Sequence, residues 1–412
     1  MTWNVGAFDV RRLRRHAGVS VLVVGLLTAA CSSGDPAAKV SDASAAATST
    51  TAAPAAIEQF SGAVDDFYRV PDPLPAGRPG ELIRTMPIDA PAGETGSRIM
   101  YHSTDAEGDD RAVTGVVYTP TGKAPDGGWP IVAWAHGTSG LAAKCAPSRH
   151  PAPPPDYGIR GVQVSTDYIG LGPVGELHPY LSAAAEGNGV IDSVAAVRAL
   201  PDLHAGSRWV VVGVSQGGHA ALVTNEMAAQ RLPGVELLGA VALAPGSQLA
   251  ETYGDDLQAR AIITMVLVGI TADDPSVQLS DYLSPDAVTA AAVIEDGCVA
   301  EILAALPAVA ASPNYFVTDP RTSPVGVAWL AKNDPGRVAA TSPLLLVQGE
   351  QDILVLPART DALFARLCKL GQVVQRLDVA TADHGTVVDL SRADVTTWLA
   401  ARFAGTPVTN AC

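Results

Sequence analysis

Short apolar runs recur along the body of the chain, and longer segments with helical spacing separate them. Two β-type runs at residues 98–103 and 112–118 predict an opening hairpin or meander. The later runs are four to seven residues long and mostly apolar, as in strands that are buried on both faces of a parallel sheet. These later runs are residues 131–135, 161–165, 209–214, 237–243, 344–347 and 373–379.

Helical patterns lie between these runs, at residues 190–200 and 219–230, and a final helix is expected at 392–403. Strands that alternate with helices in this way are typical of a doubly wound α/β domain. We therefore predict an α/β fold class, with a mostly parallel central sheet and helices on both faces.

One interval breaks the alternation. Residues 246–341 have helical character and few strand signals, and their longest apolar stretch, 261–270, is too short to cross a bilayer. We predict a helical cap here, inserted over the carboxyl edge of the sheet, where α/β proteins bind ligands. The expected core then consists of residues 63–245 and 342–412.

The first thirty residues have the pattern of an export signal. Four arginines between positions 11 and 15 precede the uncharged and mostly apolar residues 17–30. The small residues before Cys31 are similar to a bacterial lipobox, which predicts cleavage before Cys31 and its lipidation. Ordinary signal cleavage, a retained anchor and twin-arginine export are alternatives. Residues 31–62, rich in Ala, Ser and Thr, predict a flexible tether.

Composition argues against several classes of function. Forty-two acidic residues against 27 basic ones give a net charge of −15, which disfavours binding to nucleic-acid phosphates. The chain has no CxxC pair and no HExxH motif, so the common zinc signatures are absent and we expect no metal. Residues 170–175 spell G-x-G-x-x-G, but Pro173 and the residues after it do not begin a helix. We therefore expect a loop and not a dinucleotide site.

The cysteines agree with export. Beyond Cys31, four cysteines allow two disulfides in three pairings in an oxidising compartment. Cys412 is the last residue and would fray unless it is tied down, which favours a bond to the nearby Cys368. That bond leaves Cys145 with Cys298. Four buried thiols are the alternative.

Residues 213–217, Gly-Val-Ser-Gln-Gly, match the nucleophile-elbow pattern G-x-S-x-G. This pattern places a serine on a sharp turn between a strand and a helix, where small flanking residues avoid clashes. An apolar run precedes Ser215 and helical spacing follows it, as the motif requires. The alternative is a glycine-rich turn with a solvated serine.

A serine hydroxyl is a poor nucleophile at neutral pH and needs a base. On an elbow of this kind the chain order is serine, then Asp or Glu, then His. Of the eight histidines, only His384 lies well beyond the serine, so it is the candidate base. Asp352, after the preceding strand run, is the preferred acid, and Glu350 and Asp383 are its rivals.

A serine that attacks a carbonyl carbon also needs backbone N–H donors for the oxyanion of the tetrahedral intermediate. We expect one donor at Gln216, directly after the serine, and another at Thr138, in the loop that follows the run ending at residue 135. His136 would support that loop or be an ordinary loop histidine. His219 would line or flank the site, or be a satisfied surface histidine.

Taken together, these motifs resemble the secretory lipase family of α/β-hydrolases, the group of the yeast lipase A type and many actinobacterial exported esterases. The resemblance extends over about residues 63–405. It rests on residues 67–68, 79–84, 135–138, 167–172, 178–180 and 213–220, with Asp352 and residues 383–384.

The resemblance implies the α/β-hydrolase fold, with Ser215 as nucleophile and with Asp352 and His384 as its partners. It implies hydrolysis of carboxylic esters without a cofactor, and a helical cap that binds acyl chains; two disulfides suit the same family. The expected partners are an ester or lipid substrate and a membrane, reached through Cys31, and no nucleic acid. The protein would be a cell-membrane lipoprotein facing outside, or secreted.

Two other hypotheses stay open on the same residues. The triad could carry acyl transfer or peptide hydrolysis, because fold and triad do not decide among these reactions. The chain could instead be a catalytically inactive lipoprotein that binds a ligand on an unused hydrolase fold.

Overall fold

A computed structural model describes residues 56–252, 257–310 and 314–412. The predicted signal peptide, Cys31 and the predicted tether up to residue 55 lie outside the described residues. Within the described ranges, no helix is both long and apolar enough to cross a membrane.

Ten strands form one mixed sheet in the order β1-β2-β3-β4-β6-β5-β7-β8-β9-β10. The strands are β1 (Glu58–Gln59), β2 (Leu82–Ile88), β3 (Glu94–Thr104), β4 (Asp110–Pro120), β5 (Trp129–Ala135), β6 (Val162–Thr166), β7 (Ala205–Val214), β8 (Glu236–Leu243), β9 (Leu344–Gly349) and β10 (Val374–Val379). In this order, neighbouring strands from β6 to β10 run parallel, whereas the pairs β2–β3, β3–β4 and β4–β6 run antiparallel. The mostly parallel sheet predicted from the apolar runs is confirmed.

Helices cover both faces of this sheet. They are α1 (Val64–Phe67), α2 (Ala183–Arg198), α3 (Gln216–Arg231), α4 (Leu257–Asp273), α5 (Pro285–Asp296), α6 (Val299–Ala310), α7 (Pro324–Asn333), α8 (Pro357–Lys369) and α9 (Val387–Phe403). In β5, Ile131 and Ala133 belong to the apolar cluster that includes α2, α3 and α8, while Val132 belongs to the cluster that includes α9. Successive residues of a central strand thus face apolar clusters on opposite sides of the sheet, which is why these strands are apolar at every position.

The sheet extends further towards the N-terminus than the sequence indicates. The predicted tether ends at residue 62, but β1 lies within it and pairs in parallel with β2. The Phe60 N–H also donates to the Thr85 carbonyl at 2.8 Å, and the Phe60 ring packs edge-on against Phe67. Neither strand has the uniform apolar pattern of the central ones, since β2 contains Arg84 and Pro87. Helix α8 was not predicted either.

Helix α2 begins seven residues before the predicted start at residue 190. Its first turns contain Gly187 and Gly189, which have low helix propensity and hide the start in the sequence. The structure gives Gly187 a packing reason, because a Cβ there would lie 2.7 Å from the Val223 side chain on α3. The two helices that flank the site therefore pack closely.

Residues 246–341, here called the cap segment, contain α4, α5, α6 and α7. These helices surround an apolar cluster in which Ile263, Leu267 and Ile294 are fully or almost fully buried. Leu141, Tyr180 and Leu181 of the core belong to the same cluster. The disulfide Cys145–Cys298 joins a core loop to the residue before α6. A second disulfide, Cys368–Cys412, fastens the C-terminal residue to α8. These are the pairs favoured from the sequence.

Candidate active site

Ser215 lies on a sharp turn between β7 and α3, with φ 59° and ψ −115°. Residues other than glycine rarely adopt a positive φ, so the surrounding structure must hold this turn. The Ser215 N–H donates to the Leu243 carbonyl at 2.9 Å, and the Ser215 carbonyl accepts from Gly246 N–H at 2.9 Å and from His219 N–H at 3.0 Å. These three bonds fix the backbone that carries the hydroxyl.

The two glycines of the G-x-S-x-G pattern are required by close approach of the backbone. A Cβ on Gly217 would lie 1.9 Å from the Ala135 carbonyl oxygen, and one on Gly213 would lie 2.0 Å from the Gly217 carbonyl oxygen. The start of α3 therefore rests directly against the end of β5. This contact brings Ser215 beside the loop that follows β5.

His384 and Asp352 are brought together by the loops after β10 and β9. The His384 Nδ1–H donates to Asp352 Oδ2 at 2.7 Å. The other carboxylate oxygen of Asp352 accepts the N–H groups of Leu354 at 2.8 Å and Val355 at 2.9 Å. The Asp352 carboxylate is buried and bonded on both oxygens, so it fixes the ring's tautomer and leaves His384 Nε2 free to take a proton.

Neither rival acid, Asp383 or Glu350, makes a described hydrogen bond to the His384 ring. Asp383 accepts the Thr386 hydroxyl at 2.6 Å and the Thr386 N–H at 2.9 Å, so it caps the turn that leads into α9. Those hydrogen bonds lower the pKa of Asp383. Glu350 is exposed to solvent. Among the described hydrogen bonds, only Asp352 reaches the His384 ring.

A cavity of about 500 Å³ opens at the carboxyl edge of the sheet. Its core wall includes Ser215, His384, Gly137 and Thr138. Among the described residues, its cap wall consists of apolar side chains: Ala261, Ile262 and Met265 from α4, with Val299, Ile302 and Leu303 from α6. The arrangement sets reactive polar groups against a wall suited to an apolar chain.

The candidate oxyanion donors, Thr138 and Gln216, also lie at this edge. Gln216 is the first residue of α3, and the first N–H groups of a helix have no partner within the helix. The Thr138 hydroxyl pairs with the Tyr180 hydroxyl at 2.8 Å. Behind the loop, the Tyr168 hydroxyl donates to the His136 carbonyl at 2.9 Å, and His136 Nδ1–H donates to the Gly137 carbonyl at 2.7 Å. His136 therefore supports the loop from within.

A buried carboxylate that the sequence did not single out lies beneath the serine turn. Glu186, on α2, is fully buried, and its Oε1 accepts the Gln216 side-chain N–H at 2.8 Å and the Leu181 N–H at 3.0 Å. Its Oε2 lies 2.5 Å from His219 Nδ1. His219 is fully buried and does not line the cavity, so the expectation of a surface histidine is wrong; it flanks the serine turn, where its N–H donates to the Ser215 carbonyl.

The protonation states of this cluster follow from its contacts. Burial disfavours a charged His219, but the Glu186 carboxylate outweighs burial and raises the pKa of His219. Burial lowers the pKa of His178 to about 4. The His178 Nδ1–H donates to the Ile169 carbonyl at 2.7 Å, so its Nε2 accepts from the Gln216 side chain at 2.6 Å.

Two further expectations concern the glycine-rich string and metal binding. Residues 170–175 form turns and bends, with Gly170 and Gly172 at positive φ, so the G-x-G-x-x-G string is a loop as predicted. Within the described part of the chain, no cluster of three or more His, Cys, Asp or Glu side chains is arranged to hold a metal ion.

Comparison with known proteins gives a family and a set of similar folds. The sequence model of the secretory lipase family matches residues 159–411, more than half of the chain. A comparison with curated protein sequences found no significant match.

Three solved structures illustrate the similarity of fold. Candida antarctica lipase A in its closed state is 15% identical, with a TM-score of 0.71 over 84% of this chain and 87% of that chain. The rice cell wall degrading esterase LipA from Xanthomonas oryzae is 19% identical, with a TM-score of 0.64 over 80% and 99%. A putative hydrolase from Legionella pneumophila is 21% identical, with a TM-score of 0.64 over 77% and 91%.

Proposed function

The chain belongs to the secretory lipase family of carboxylic ester hydrolases, and from this membership we propose that Ser215, His384 and Asp352 form its catalytic triad. The observation that carries the proposal is the shared cavity. Ser215 and His384 both line it, and the His384 ring is held by the buried Asp352 carboxylate. Nucleophile, base and orienting acid are thus available in the chain order that the elbow requires.

The first half of the reaction forms an acyl-enzyme. Ser215 Oγ attacks the ester carbonyl carbon while His384 Nε2 takes the hydroxyl proton. The oxyanion of the tetrahedral intermediate accepts hydrogen bonds from the backbone N–H groups of Gln216 and Thr138. The intermediate collapses, the ester C–O bond breaks, and His384 gives its proton to the leaving alkoxide to release an alcohol. Asp352 stabilises the imidazolium that forms between these two transfers.

Water completes the cycle in the second half. His384 takes a proton from water as the water oxygen attacks the acyl-enzyme carbonyl, and the same donors hold the second oxyanion. When this intermediate collapses, the bond to Ser215 Oγ breaks and the serine oxygen regains a proton from His384. The products are the carboxylic acid and the unchanged enzyme.

The acyl side of the substrate is proposed to lie against the cap wall. The six cap residues that the structure describes at the cavity are all apolar, and burying apolar surface contributes about 25 cal/mol per Å². A charged or heavily hydroxylated acyl group would lose its hydration there without gaining polar partners. We therefore propose esters of apolar carboxylic acids as the substrate class.

Hydrolysis of p-nitrophenyl esters from acetate to palmitate tests the proposed function. Wild-type protein is expected to cleave the series, and Ser215→Ala to lose activity by about 10⁴-fold or more. A maximum at long chains would identify a lipase, and a maximum at short chains an esterase. Substantial activity in a folded Ser215→Ala protein would contradict the assignment.

Export and anchoring through Cys31 are also proposed. They are supported by the signal-like pattern of residues 1–30 and by two disulfides, which form in oxidising compartments. Expression in a bacterium that processes lipoproteins tests this point. The wild-type chain should fractionate with membranes, and Cys31→Ser should release it. Equal fractionation of the two proteins would contradict the anchor.

A further inference from the structure

We propose that Glu186 is a positioning residue that holds the Gln216 side chain and thereby aims the Gln216 backbone N–H at the oxyanion. This inference rests on the proposed function, because it concerns how the oxyanion donor is held. Glu186 does not line the cavity and makes no described bond to the serine hydroxyl; of its partners, Gln216 is the one whose backbone carries a proposed oxyanion donor.

The Gln216 side chain is clamped by two acceptors. Its Nε2 lies 2.8 Å from Glu186 Oε1 and 2.6 Å from His178 Nε2, which engages both of its hydrogens. Its Oε1 is buried and has no hydrogen-bond partner among the described residues. Turning the amide over would point Oε1 at a carboxylate and at a ring lone pair, so only one orientation satisfies both acceptors.

Neighbouring groups hold both acceptors in place. Glu186 Oε1 also accepts the Leu181 N–H at 3.0 Å. The His219 Nε2–H donates to the Asn333 carbonyl at 2.8 Å, and its Nδ1 lies 2.5 Å from Glu186 Oε2, so the second carboxylate oxygen is held as well. His178 is neutral and offers its Nε2 lone pair. The cluster therefore gives Gln216 two lasting acceptors.

This clamp sits on the residue that carries the proposed oxyanion donor. Side-chain and backbone atoms of Gln216 share one Cα, so a fixed side chain restricts rotation of the peptide that follows Ser215. A catalytic donor must be held within about 0.5 Å and 10–20° of its productive geometry. Loss of the clamp should weaken stabilisation of the transition state and leave binding of the ground state unchanged.

Replacing either end of the clamp by methionine tests the proposal. Gln216→Met should lower kcat by about 10–100-fold while KM changes by less than about twofold, because a misaimed donor loses part of the 10²–10³-fold that a complete donor supplies. Glu186→Met should do the same. Glu186→Gln retains an acceptor oxygen for Gln216 and should keep most of the wild-type kcat. The double variant with methionine at both positions should fall no further than either single one.

Asp192→Asn provides the matched control. Asp192 lies on the same helix, is almost fully buried, and is bonded to Ser103 and Arg231. Its variant should lower the melting temperature and leave kcat of the folded protein unchanged. A similar loss of kcat in this control would indicate a general effect of loosening α2.

Wild-type kcat in Gln216→Met, or additive losses in the double variant, would overturn the inference. If Glu186→Met does not fold, Gln216→Met still decides, because it leaves the pair of Glu186 and His219 intact. Ser215→Ala, assayed in parallel, separates the two proposals. Loss of activity in that variant together with wild-type kcat in Gln216→Met would reject the clamp and leave the triad standing.

Discussion

The two walls of the cavity differ in how they are built. The core wall consists of strand-end loops whose positions are set by backbone hydrogen bonds, close glycine contacts and a buried carboxylate at Asp352. The cap wall consists of apolar side chains from α4 and α6. A reaction that moves protons needs fixed polar groups, whereas an acyl chain needs only apolar surface. Under the proposed function, the core wall would carry out the chemistry and the cap wall would select the substrate.

The largest expected effect lies on the core wall. Asp352→Asn keeps the size of the side chain but stabilises the wrong tautomer of His384 and no longer supports the imidazolium, so kcat should fall by about 10⁴-fold. Steady-state kinetics on a p-nitrophenyl ester measure the change. Asp383→Asn is the control, since Asp383 only caps its own turn, and it should stay near wild type. Equal losses in both variants would contradict the assignment of the acid.

A change on the cap wall should alter selectivity and spare the chemistry. Ile262→Trp fills part of the cavity, so kcat/KM for palmitate should fall by about 10–100-fold relative to acetate, in line with the worth of a few methylenes in an apolar pocket. Thr289→Trp, on the exposed side of α5, should leave the ratio unchanged. A uniform loss over all chain lengths would show that the walls do not divide their roles in this way.

The disulfide Cys145–Cys298 joins a core loop to the residue before α6, next to Val299 of the cap wall. Val299 also donates its N–H to the Ser139 carbonyl, in the loop after β5, at 2.9 Å. Replacing both cysteines by serine should lower the free energy of unfolding by about 2–5 kcal/mol, because the bond closes a span of 153 residues. It should also lower kcat/KM.

The second disulfide is the natural comparison for that variant. Cys368–Cys412 spans 44 residues and joins α8 to residue 412, away from the residues that line the cavity. Serine at both of these positions should destabilise the fold somewhat less and spare kcat/KM. Denaturant unfolding and ester kinetics on both variants would separate the outcomes. Equal kinetic losses would mean that the position of Cys145–Cys298 has no special effect.

The smallest expected effect concerns pH and the cap. The Asp273 carboxylate at the end of α4 accepts the indole N–H of Trp329 on α7 at 3.0 Å, and burial raises its pKa from 3.8 to about 6. The folded state thus favours the protonated form. Its contribution to stability is complete below about pH 4 and is lost as pH rises through about 6.

Asp273→Asn, which is neutral at every pH, should remove this dependence. The variant should match wild type near pH 4 and be more stable by about 1–3 kcal/mol at pH 7. Thermal unfolding between pH 4 and 8 measures the difference. Asp274→Asn, on the exposed neighbour, should not flatten the profile. Parallel profiles for wild type and Asp273→Asn would contradict the burial argument.

How well the sequence predicts the structure also differs between the core and the cap segment. Valine-rich β7 and the serine turn could be located from sequence, because buried parallel strands and the elbow have strict local requirements. The edge strand β1 and its neighbour β2 could not, because β1 consists of two polar residues and Arg84 and Pro87 interrupt the apolar pattern of β2. In the cap segment, helices buried among one another show little periodicity, so their existence was predictable and their bounds were not.

The candidate site was predictable only where chemistry restricts chain order. His384 stood out because a base must follow the serine, and Asp352 because an acid must end the preceding strand. Glu186 had no such signal, since a glutamate among alanines and glycines near a helix start is usually exposed. Its burial depends on α3 packing against α2, which is a tertiary contact that no local pattern records.

The central claim is that the core wall presents one activated serine to the cavity. Labelling the folded protein with a fluorophosphonate, followed by mass spectrometry of its peptides, tests this most directly. We predict one adduct per chain, located on Ser215, and no adduct in Ser215→Ala. An adduct on a different residue, or no reaction in a folded wild-type protein, would contradict it.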